Sequence, residues 1–264
     1  MSEELVVVER DPARAVATVR INRPAVHNAL NAALLDALGA RIDELGRDGG
    51  VRAIVLTGTG EKAFSAGADL DELAPLSAES AHPVMTRGQA VIRGIERSPV
   101  PVIAAVNGLA LGGGFELVLA CSFALVSRTA SLGLPEAGLG LIPGYGGTQR
   151  LARVAGPAVA RHVMLTGSRL DAERAHQLGL AVLPPCEPAD LLGEATRVAG
   201  TIAAKGPRAV RAILEVVDRG ADLPLESGLA LETGLAALAI GGSESDEGVA
   251  AFQGKRAPTF EDRA

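Results

Sequence analysis

Short apolar runs alternate with helical patterns through the first half of the chain, and this alternation constrains the fold more than any other feature. The runs VRAIVLTG (51–58), PVIAAVNG (101–108) and FALVS (123–127) are each typical of a strand buried on both faces. Between them lie segments such as 28–45, whose apolar residues recur at the spacing of one helix face. Strands separated by helices in this order favour an α/β fold built in layers.

The last third of the sequence has a different character, because helical patterns follow one another from about residue 145. In GPRAVRAILEVVDRG (206–220), Pro207 suits the first turn of a helix. We place a division between a core, residues 1–195, and a helical C-terminal region, residues 196–264. No linker rich in serine or proline separates them, so we expect the two parts to pack together.

Charge and hydropathy exclude several classes of function. The formal net charge is −6 and no run of Lys or Arg exceeds two residues, whereas a nucleic-acid-binding surface needs clustered positive charge. The segment MSEELVVVER is acidic and lacks the apolar stretch of a signal peptide. The longest uncharged run, 98–115, is interrupted by prolines and glycines, unlike a membrane helix. The sequence therefore predicts a cytoplasmic protein that binds neither nucleic acid nor membrane.

Neither a metal site nor a separate cofactor is indicated. The two cysteines, Cys121 and Cys186, form no CxxC motif, and the four histidines show no metal-ligand spacing. A dinucleotide fingerprint fails because Pro143 stands where its third glycine would be. The phosphate-loop motif is absent as well. We therefore expect no metal and no bound cofactor.

Two stretches of small residues each end a strand-like run and begin a helical one. LALGGGFE (109–116) has three consecutive glycines before a carboxylate, and FSAGADL (64–70) is the second stretch. Helix N-termini present free N–H groups and a partial positive charge. One N–H from each stretch could bind a single oxygen, which is how an oxyanion hole is built. A tight turn with close helix–strand packing would also account for the glycines.

Two glutamates are candidates for proton transfer beside such a hole. Glu116 follows Gly113 by about one helical turn, and Glu136 follows Pro135 among apolar residues. A carboxyl group in apolar surroundings has a raised pKa and exchanges protons near neutral pH. No activated serine or cysteine accompanies the glycines, which favours enolate chemistry. From residue types alone, two other interpretations stay open: Glu116 could be a charge at a helix N-terminus, and Glu136 could be an acid on the surface.

These motifs resemble those of the enoyl-CoA hydratase/isomerase (crotonase) superfamily nearly from end to end, and they are most similar to the enoyl-CoA hydratases. The segments that carry the resemblance are NRPAVHNAL (22–30), FSAGADLDEL (64–73), PVIAAVNGLALGGGFELVLAC (101–121), LPEAGLGLIPGYGGTQRLARVAG (134–156), GLAVLPP (179–185) and EGVAAFQGKRAPTF (247–260). The resemblance implies an α/β crotonase-like spiral of ββα units over 1–195. It also implies that the helical region 196–264 packs on the core and on neighbouring subunits of a trimer or a dimer of trimers.

The resemblance further implies an acyl-CoA thioester substrate, with coenzyme A as part of the substrate. The N–H groups of Ala68 and Gly113 would bind the thioester oxygen. Glu116 and Glu136 would hold water and exchange a proton at the α-carbon, giving syn hydration of a trans-2-enoyl-CoA to a 3-hydroxyacyl-CoA. The residues that match substrate and CoA contacts are Val26, Ala66, Gly67, Asp69, Leu70, Gly112 and Tyr145, with Phe252 and Lys255 from a neighbouring subunit.

Three positions depart from the hydratase pattern. Asp71 stands where a lysine is often found, Ser122 where aspartate is usual, and Tyr145 where a smaller residue is common. Asp71 places negative charge near the CoA phosphates, while Tyr145 could narrow the acyl pocket, donate a hydrogen bond or only pack.

Two alternative functions stay open. One is a Δ3,Δ2-enoyl-CoA isomerase or related lyase that relies mainly on Glu136, and the other is an acyl-CoA-binding subunit without turnover.

Overall fold

The computed structural model describes residues 4–260 and confirms an α/β fold with two sheets. Its strands are β1 Val6–Asp11, β2 Val16–Ile21, β3 Ala53–Gly58, β4 Ala63–Ser65, β5 Val102–Val106, β6 Leu109–Leu111, β7 Phe123–Val126, β8 Ser131–Gly133 and β9 Leu170–Asp171. The larger sheet has the order β1-β2-β3-β5-β7, and the smaller sheet has the order β4-β6-β8-β9. The pairs β1–β2 and β8–β9 are antiparallel, and the remaining neighbours are parallel.

The chain winds through the two sheets as a spiral. β3, β5 and β7 each add a strand to the larger sheet, and β4, β6 and β8 follow them directly in the smaller sheet. Helical segments follow each of these strand pairs, so every turn of the spiral is a ββα unit. This arrangement confirms the crotonase-like spiral that the resemblance implies.

Helices surround the sheets and form most of the C-terminal third. They are α1 Ala32–Arg47, α2 Leu70–Leu73, α3 Ala78–Glu96, α4 Gly113–Leu119, α5 Gly147–Ala155, α6 Pro157–Thr166, α7 Ala172–Gln177, α8 Leu191–Ala203, α9 Pro207–Gly220, α10 Leu225–Ile240 and α11 Ser243–Gln253, with 3₁₀ turns at Pro24–Val26 and Glu136–Leu139. Pro207 occupies the first position of α9, as predicted. Within residues 4–260, no helix is both long and apolar enough to cross a membrane.

The central strands of the larger sheet are buried on both faces, as their uninterrupted apolar runs predict. Every residue of β3 and β5 is buried. On one face, Ile54 belongs to a core cluster with Leu38 of α1. On the other face, Val55 belongs to a cluster with Ala195 and Ala199 of α8. Small side chains let α8 lie close to the strands, which suits a chain with no tryptophan and only 2 % aromatic residues.

Two helices begin at residues that apolar periodicity does not predict. α1 begins at Ala32 rather than Asn28, because Asn28 has a positive φ angle and the side chain of Asn31 caps the helix. α3 begins at Ala78, because Ser77 caps it in a capping box. Both caps lie outside the apolar series, so the spacing of apolar residues alone cannot locate them.

The division between residues 195 and 196 falls inside α8. This helix packs against β2, β3 and β5, and its buried face includes Leu191 and Ala203. In the part of the chain that the structure describes, neither α9 nor α10 has a buried residue. The change from buried to exposed helices thus follows α8, and the separation into two parts stays a prediction.

Two glycines of α3 provide a matched test of the packing around the core. A Cβ on Gly88 would lie 2.1 Å from Cε1 of Tyr145, whereas a Cβ on Gly94 would meet no atom of residues 4–260 within 4 Å. We expect Gly94→Ala to raise the free energy of unfolding by about 1 kcal/mol, the difference in helix propensity between alanine and glycine. Gly88→Ala should lower it, because the buried tyrosine ring must move. Urea unfolding followed by circular dichroism measures both changes, and equal stabilisation by the two substitutions would contradict this packing.

Candidate active site

The smaller sheet brings three predicted segments to one edge. Residues 66–69 follow β4, residues 112–116 follow β6, and residues 134–136 follow β8. Because these strands are parallel neighbours, their carboxyl ends lie side by side, which is the usual position of a ligand site in parallel sheets. The structure therefore brings together the segments that carry Ala68, Gly113, Glu116 and Glu136.

The glycines allow backbone contacts that a side chain would block. Gly112 has a φ of 50°, and a Cβ there would lie 3.1 Å from Oε1 of Glu136. A Cβ on Gly67, whose φ is 102°, would lie 2.7 Å from the carbonyl oxygen of Leu111. A Cβ on Gly114 would lie 2.3 Å from the carbonyl oxygen of Ser65. The first turn of α4 therefore lies directly against the end of β4.

Two backbone N–H groups have no acceptor at this contact. Within residues 4–260, nothing accepts a hydrogen bond from the N–H of Ala68 or from that of Gly113, the first residue of α4. A Cβ on Gly67 would lie 3.3 Å from the nitrogen of Gly113, so the two segments are adjacent. An oxyanion hole requires such a pair of donors.

Hydrogen bonds of the residues before and after Ala68 fix the backbone segment that carries it. The N–H of Leu30 donates to the carbonyl oxygen of Gly67 (2.8 Å), and the carbonyl oxygen of Leu30 accepts the N–H of Asp69 (3.0 Å). The Asp69 carboxylate accepts a hydrogen bond from Nη1 of Arg23 at 2.9 Å. The carboxylate predicted as a substrate contact thus lies in an ion pair that fixes the backbone beside Ala68.

Glu116 is a buried carboxyl group that two backbone donors hold. Only 1 % of the residue is exposed, and its Oε1 accepts the N–H groups of Tyr145 (2.8 Å) and Gly147 (2.6 Å). Burial raises the pKa of Glu116, whereas these N–H groups and the charge of Arg150 act in the opposite direction. Its donors come from the start of α5, so Glu116 is more than a charge at the N-terminus of its own helix.

Glu136 begins the 3₁₀ turn that follows β8, and it is half-buried. Its Oε2 is buried and accepts no hydrogen bond from any described residue. Burial raises the pKa of Glu136 to about 7, and the neighbouring charge of Glu116 adds to the rise. The structure therefore does not place Glu136 at the surface as an ordinary acid.

The two carboxyl groups have different environments, and the charge of Glu116 acts on Glu136. Backbone donors favour the ionised form of Glu116, while the unpartnered oxygen of Glu136 favours its protonated form. A pair whose environments differ in this way can supply one acid and one base near neutral pH. Among residues 4–260, no group of three His, Cys, Asp or Glu side chains could hold a metal ion.

The remaining predicted contact residues fall into two groups. Val26 and Leu70 are 46 % and 50 % exposed. The N–H of Ala66 donates to the carbonyl oxygen of His27 (2.9 Å), so these segments adjoin Ala68. Phe252 is 86 % exposed near the end of α11, and Lys255 follows that helix, which packs against α10. The structure does not bring this second pair to the carboxyl groups. Because Phe252 is so exposed, its side chain is not packed in the core of its own chain.

Tyr145 packs its ring beneath the predicted oxyanion hole. The residue is 4 % exposed, and a Cβ on Gly113 would lie 3.1 Å from its Cδ2. Burial raises the pKa of Tyr145 to about 12, with smaller contributions from the charges of Glu116 and Glu72, so the hydroxyl stays protonated at neutral pH. The ring thus packs, while the backbone N–H is the group that contacts Glu116.

The loop that binds Glu116 is not predicted from the sequence. Gly146 has a φ of 108° and precedes Gly147, whose N–H at the start of α5 has no partner within that helix and donates to Glu116. The double glycine before a helical pattern in GYGGTQRL was the available signal. Nothing in that pattern indicates which carboxyl group its N–H groups would bind.

A spiral of ββα units, with backbone donors and paired carboxyl groups at the edge of its smaller sheet, defines an enzyme of the crotonase fold. Residues 11–263 match the enoyl-CoA hydratase/isomerase family, and the chain belongs to this family. The match extends over both the spiral and the C-terminal helices, and it confirms the resemblance drawn from the motifs.

Individual relatives agree with the family assignment. The chain is 38 % identical over 260 residues to a crotonyl-CoA hydratase of Syntrophomonas wolfei, covering 98 % of this chain and 99 % of the relative. It is 38 % identical over 241 residues to a short-chain-enoyl-CoA hydratase of Clostridium acetobutylicum, covering 91 % and 92 %. The crystal structure of an enoyl-CoA hydratase from Bacillus anthracis is similar with a TM-score of 0.94 and 38 % identity, covering 98 % and 100 %.

The raised pKa of Glu136 predicts a pH-dependent change in stability. Its pKa is about 7 in the folded chain against an ordinary value of 4.5, so the folded state binds the proton more tightly. The stability that this protonated carboxyl contributes is present at low pH and is lost as the pH rises through about 7. Glu136→Gln removes this loss. We expect the Tm difference, variant minus wild type, to increase between about pH 5 and about pH 8.

Thermal unfolding monitored by circular dichroism across this pH range measures the difference. Glu226→Gln is the matched control, because Glu226 lies exposed in the first turn of α10. A Tm difference for Glu136→Gln that is as flat with pH as that of the control would contradict the buried environment of Glu136.

Proposed function

We propose that the protein is an enoyl-CoA hydratase that adds water syn to a trans-2-enoyl-CoA thioester and forms a 3-hydroxyacyl-CoA. The observation that carries this proposal is the position of Glu116 and Glu136 beside the unpaired N–H groups of Ala68 and Gly113. Paired carboxyl groups suit hydration because water must lose a proton while carbon gains one. The names of the related hydratases support the same reaction.

In the proposed mechanism, the N–H groups of Ala68 and Gly113 donate to the thioester oxygen. Negative charge develops on that oxygen when the double bond is attacked, and preorganised donors stabilise the resulting enolate. Both N–H groups are supplied by backbone, so no side chain has to move as the charge develops. The same contacts make the β-carbon more electrophilic, which favours attack by water.

The two glutamates divide the proton transfers. Ionised Glu116 takes a proton from a water molecule as the water oxygen bonds to the β-carbon, and protonated Glu136 gives its proton to the α-carbon on the same face. One water is added, no oxidation state changes overall, and the proton then passes from Glu116 to Glu136 to restore the starting state. This division follows the environments, since Glu116 has two N–H donors and Glu136 Oε2 has none.

The coenzyme A part of the substrate would lie along the segments that adjoin Ala68. Val26, Ala66 and Leu70 are exposed there, while Gly67 and Gly112 would allow close approach of the thioester to the backbone. Phe252 and Lys255 would approach the nucleotide from a neighbouring subunit, because they do not reach the site in their own chain.

Exposed apolar side chains on the C-terminal helices support the proposed homo-oligomer. α9 and α10 carry an extensive apolar surface that the described part of the chain does not cover, and large exposed apolar patches mark interfaces. The side chains with the largest exposure on α9–α11 are Ile213, Val217, Leu225, Leu238, Ile240 and Phe252. We infer a trimer or a dimer of trimers.

The first test is hydration of crotonyl-CoA, followed by loss of the ultraviolet absorbance of the conjugated thioester and by the mass of the product. Glu116→Gln and Glu136→Gln should each lower kcat by about 10²- to 10⁴-fold, the usual contribution of a positioned acid or base. Glu79→Gln is the matched control, because Glu79 lies exposed on the first turn of α3, and this variant should leave kcat unchanged.

Each other outcome points to a different function. Retained activity in both glutamine variants would overturn the two-carboxylate mechanism. Migration of the double bond in a 3-enoyl-CoA, dependent on Glu136 and independent of Glu116, would instead support the isomerase. Tight CoA binding without turnover of any enoyl chain would support the binding subunit, and Asp71 would then be the first position to examine.

The oligomer is tested by light scattering of the purified chain. We expect a mass three or six times that of the 26.8 kDa chain. Leu238→Asp, at an exposed apolar position of α10, should shift the mass towards the monomer because it places a charge in an apolar interface. A wild-type mass equal to one chain would contradict the oligomer.

A further inference from the structure

The loop that donates to Glu116 is itself held from outside the site. Tyr145 and Gly147 give their N–H groups to Oε1 of Glu116. On the other side of the same loop, Nη1 of Arg150 donates to the carbonyl oxygen of Tyr145 at 3.0 Å. Nε2 of Gln89, from α3, donates to the carbonyl oxygen of the preceding residue, Gly144, at 2.9 Å. The peptides that bind Glu116 are therefore fixed by the side chains of Arg150 and Gln89, and neither side chain forms a hydrogen bond with Glu116.

Arg150 is held more firmly than Gln89, because it forms a second set of bonds. Its Nε and Nη2 donate to both carboxylate oxygens of Glu96 at 2.8 and 2.7 Å, a bidentate geometry. The arginine side chain is 17 % exposed and that of Glu96 is 34 % exposed. A Cβ on Gly146 would lie 2.2 Å from Nη1 of Arg150, so the guanidinium lies directly over this glycine.

Charged groups of α9, α3 and α5 interact with one another around the loop. Hydrogen bonding to Glu96 raises the pKa of Arg150, which keeps the guanidinium charged. That charge acts on Glu116 against the effect of burial. Asp218 of α9 faces Glu96, and Glu136 and Tyr145 are the other titratable groups that face Glu116. The guanidinium of Arg150 thus interacts with both Glu96 and Glu116.

We propose that Arg150 is a positioning residue for Glu116: fixed by Glu96, it holds the carbonyl of Tyr145 and thereby keeps two N–H donors of the loop on the carboxylate. Arg150 needs no contact with substrate for this role. It acts through peptide geometry and through its charge, and both effects favour the ionised form that a base requires. This inference rests on the proposed function for the role of Glu116 as a base, and on the hydrogen bonds alone for the geometry.

The kinetic test compares Arg150→Met with Arg153→Met. Arg153 lies in the same helix, is 55 % exposed and pairs with Asp222, so its loss controls for the removal of an arginine from α5. We expect Arg150→Met to lower kcat by about tenfold or more with a smaller change in KM, because the base is misplaced while substrate contacts remain. The acidic limb of the pH profile of kcat/KM should move to higher pH by about one unit, because Glu116 becomes harder to ionise.

Two further variants separate charge from geometry. Arg150→Lys keeps a cation but cannot form the bidentate pair, so it should hold the acidic limb near its wild-type position while kcat stays reduced. Glu96→Gln should lower kcat in the same direction as Arg150→Met, because it loosens the guanidinium. Unchanged kcat and pH profile in Arg150→Met, with only a lower Tm, would overturn the positioning role.

Amide hydrogen exchange tests the geometry without any substrate. In Arg150→Met, the N–H groups of Tyr145 and Gly147 should exchange about tenfold faster or more, while Arg153→Met leaves them unchanged. If the wild-type protein hydrates no enoyl-CoA, the proposed function fails, yet faster exchange would still support the positioning of the loop. If exchange at both amides is unaltered by Arg150→Met, the inference fails whatever the activity of the wild type.

Discussion

The contact between the first turn of α4 and the end of β4 is the interaction on which the rest of the site depends. A Cβ on Gly114 would lie 2.3 Å from the carbonyl oxygen of Ser65, so only glycine permits this approach. The contact brings the N–H of Gly113 beside the segment that carries Ala68, and it directs Glu116 into the core one turn later. Burial of that carboxyl then creates the need for the donors that the start of α5 supplies.

Two carboxyl groups near each other in a partly dry site are unfavourable unless their environments differ. Hydrogen bonding makes the two environments different. Glu116 has two backbone donors and a nearby guanidinium, whereas Glu136 Oε2 has no donor among the described residues. Burial is the main cause that raises the pKa of Glu136 to about 7, and the charge of Glu116 adds to the rise. The proposed division of acid and base therefore follows from the surroundings of the two carboxyl groups and not from residue type.

Much of the fold could be predicted because its signals are local. The uninterrupted apolar runs indicate β3, β5 and β7, and Pro207 marks the start of α9. The starts of α1 and α3 could not be located by periodicity, because Asn31 and Ser77 act through caps outside the apolar series. At the site, glycines and nearby glutamates were visible in the sequence, but the donors to Glu116 were not.

The sequence by itself determined the alternation of strands and helices, the family, and the residues available for chemistry, since these depend on local spacing and on ordered motifs. Only the tertiary structure decided the environments of those residues. Tyr145 and Gly147 lie 29 and 31 positions from the carboxyl group that they bind, and Arg150 reaches Glu96 across 54 positions. Contacts between such distant residues depend on how the sheets and helices pack, and burial, hydrogen bonding and pKa depend on those contacts.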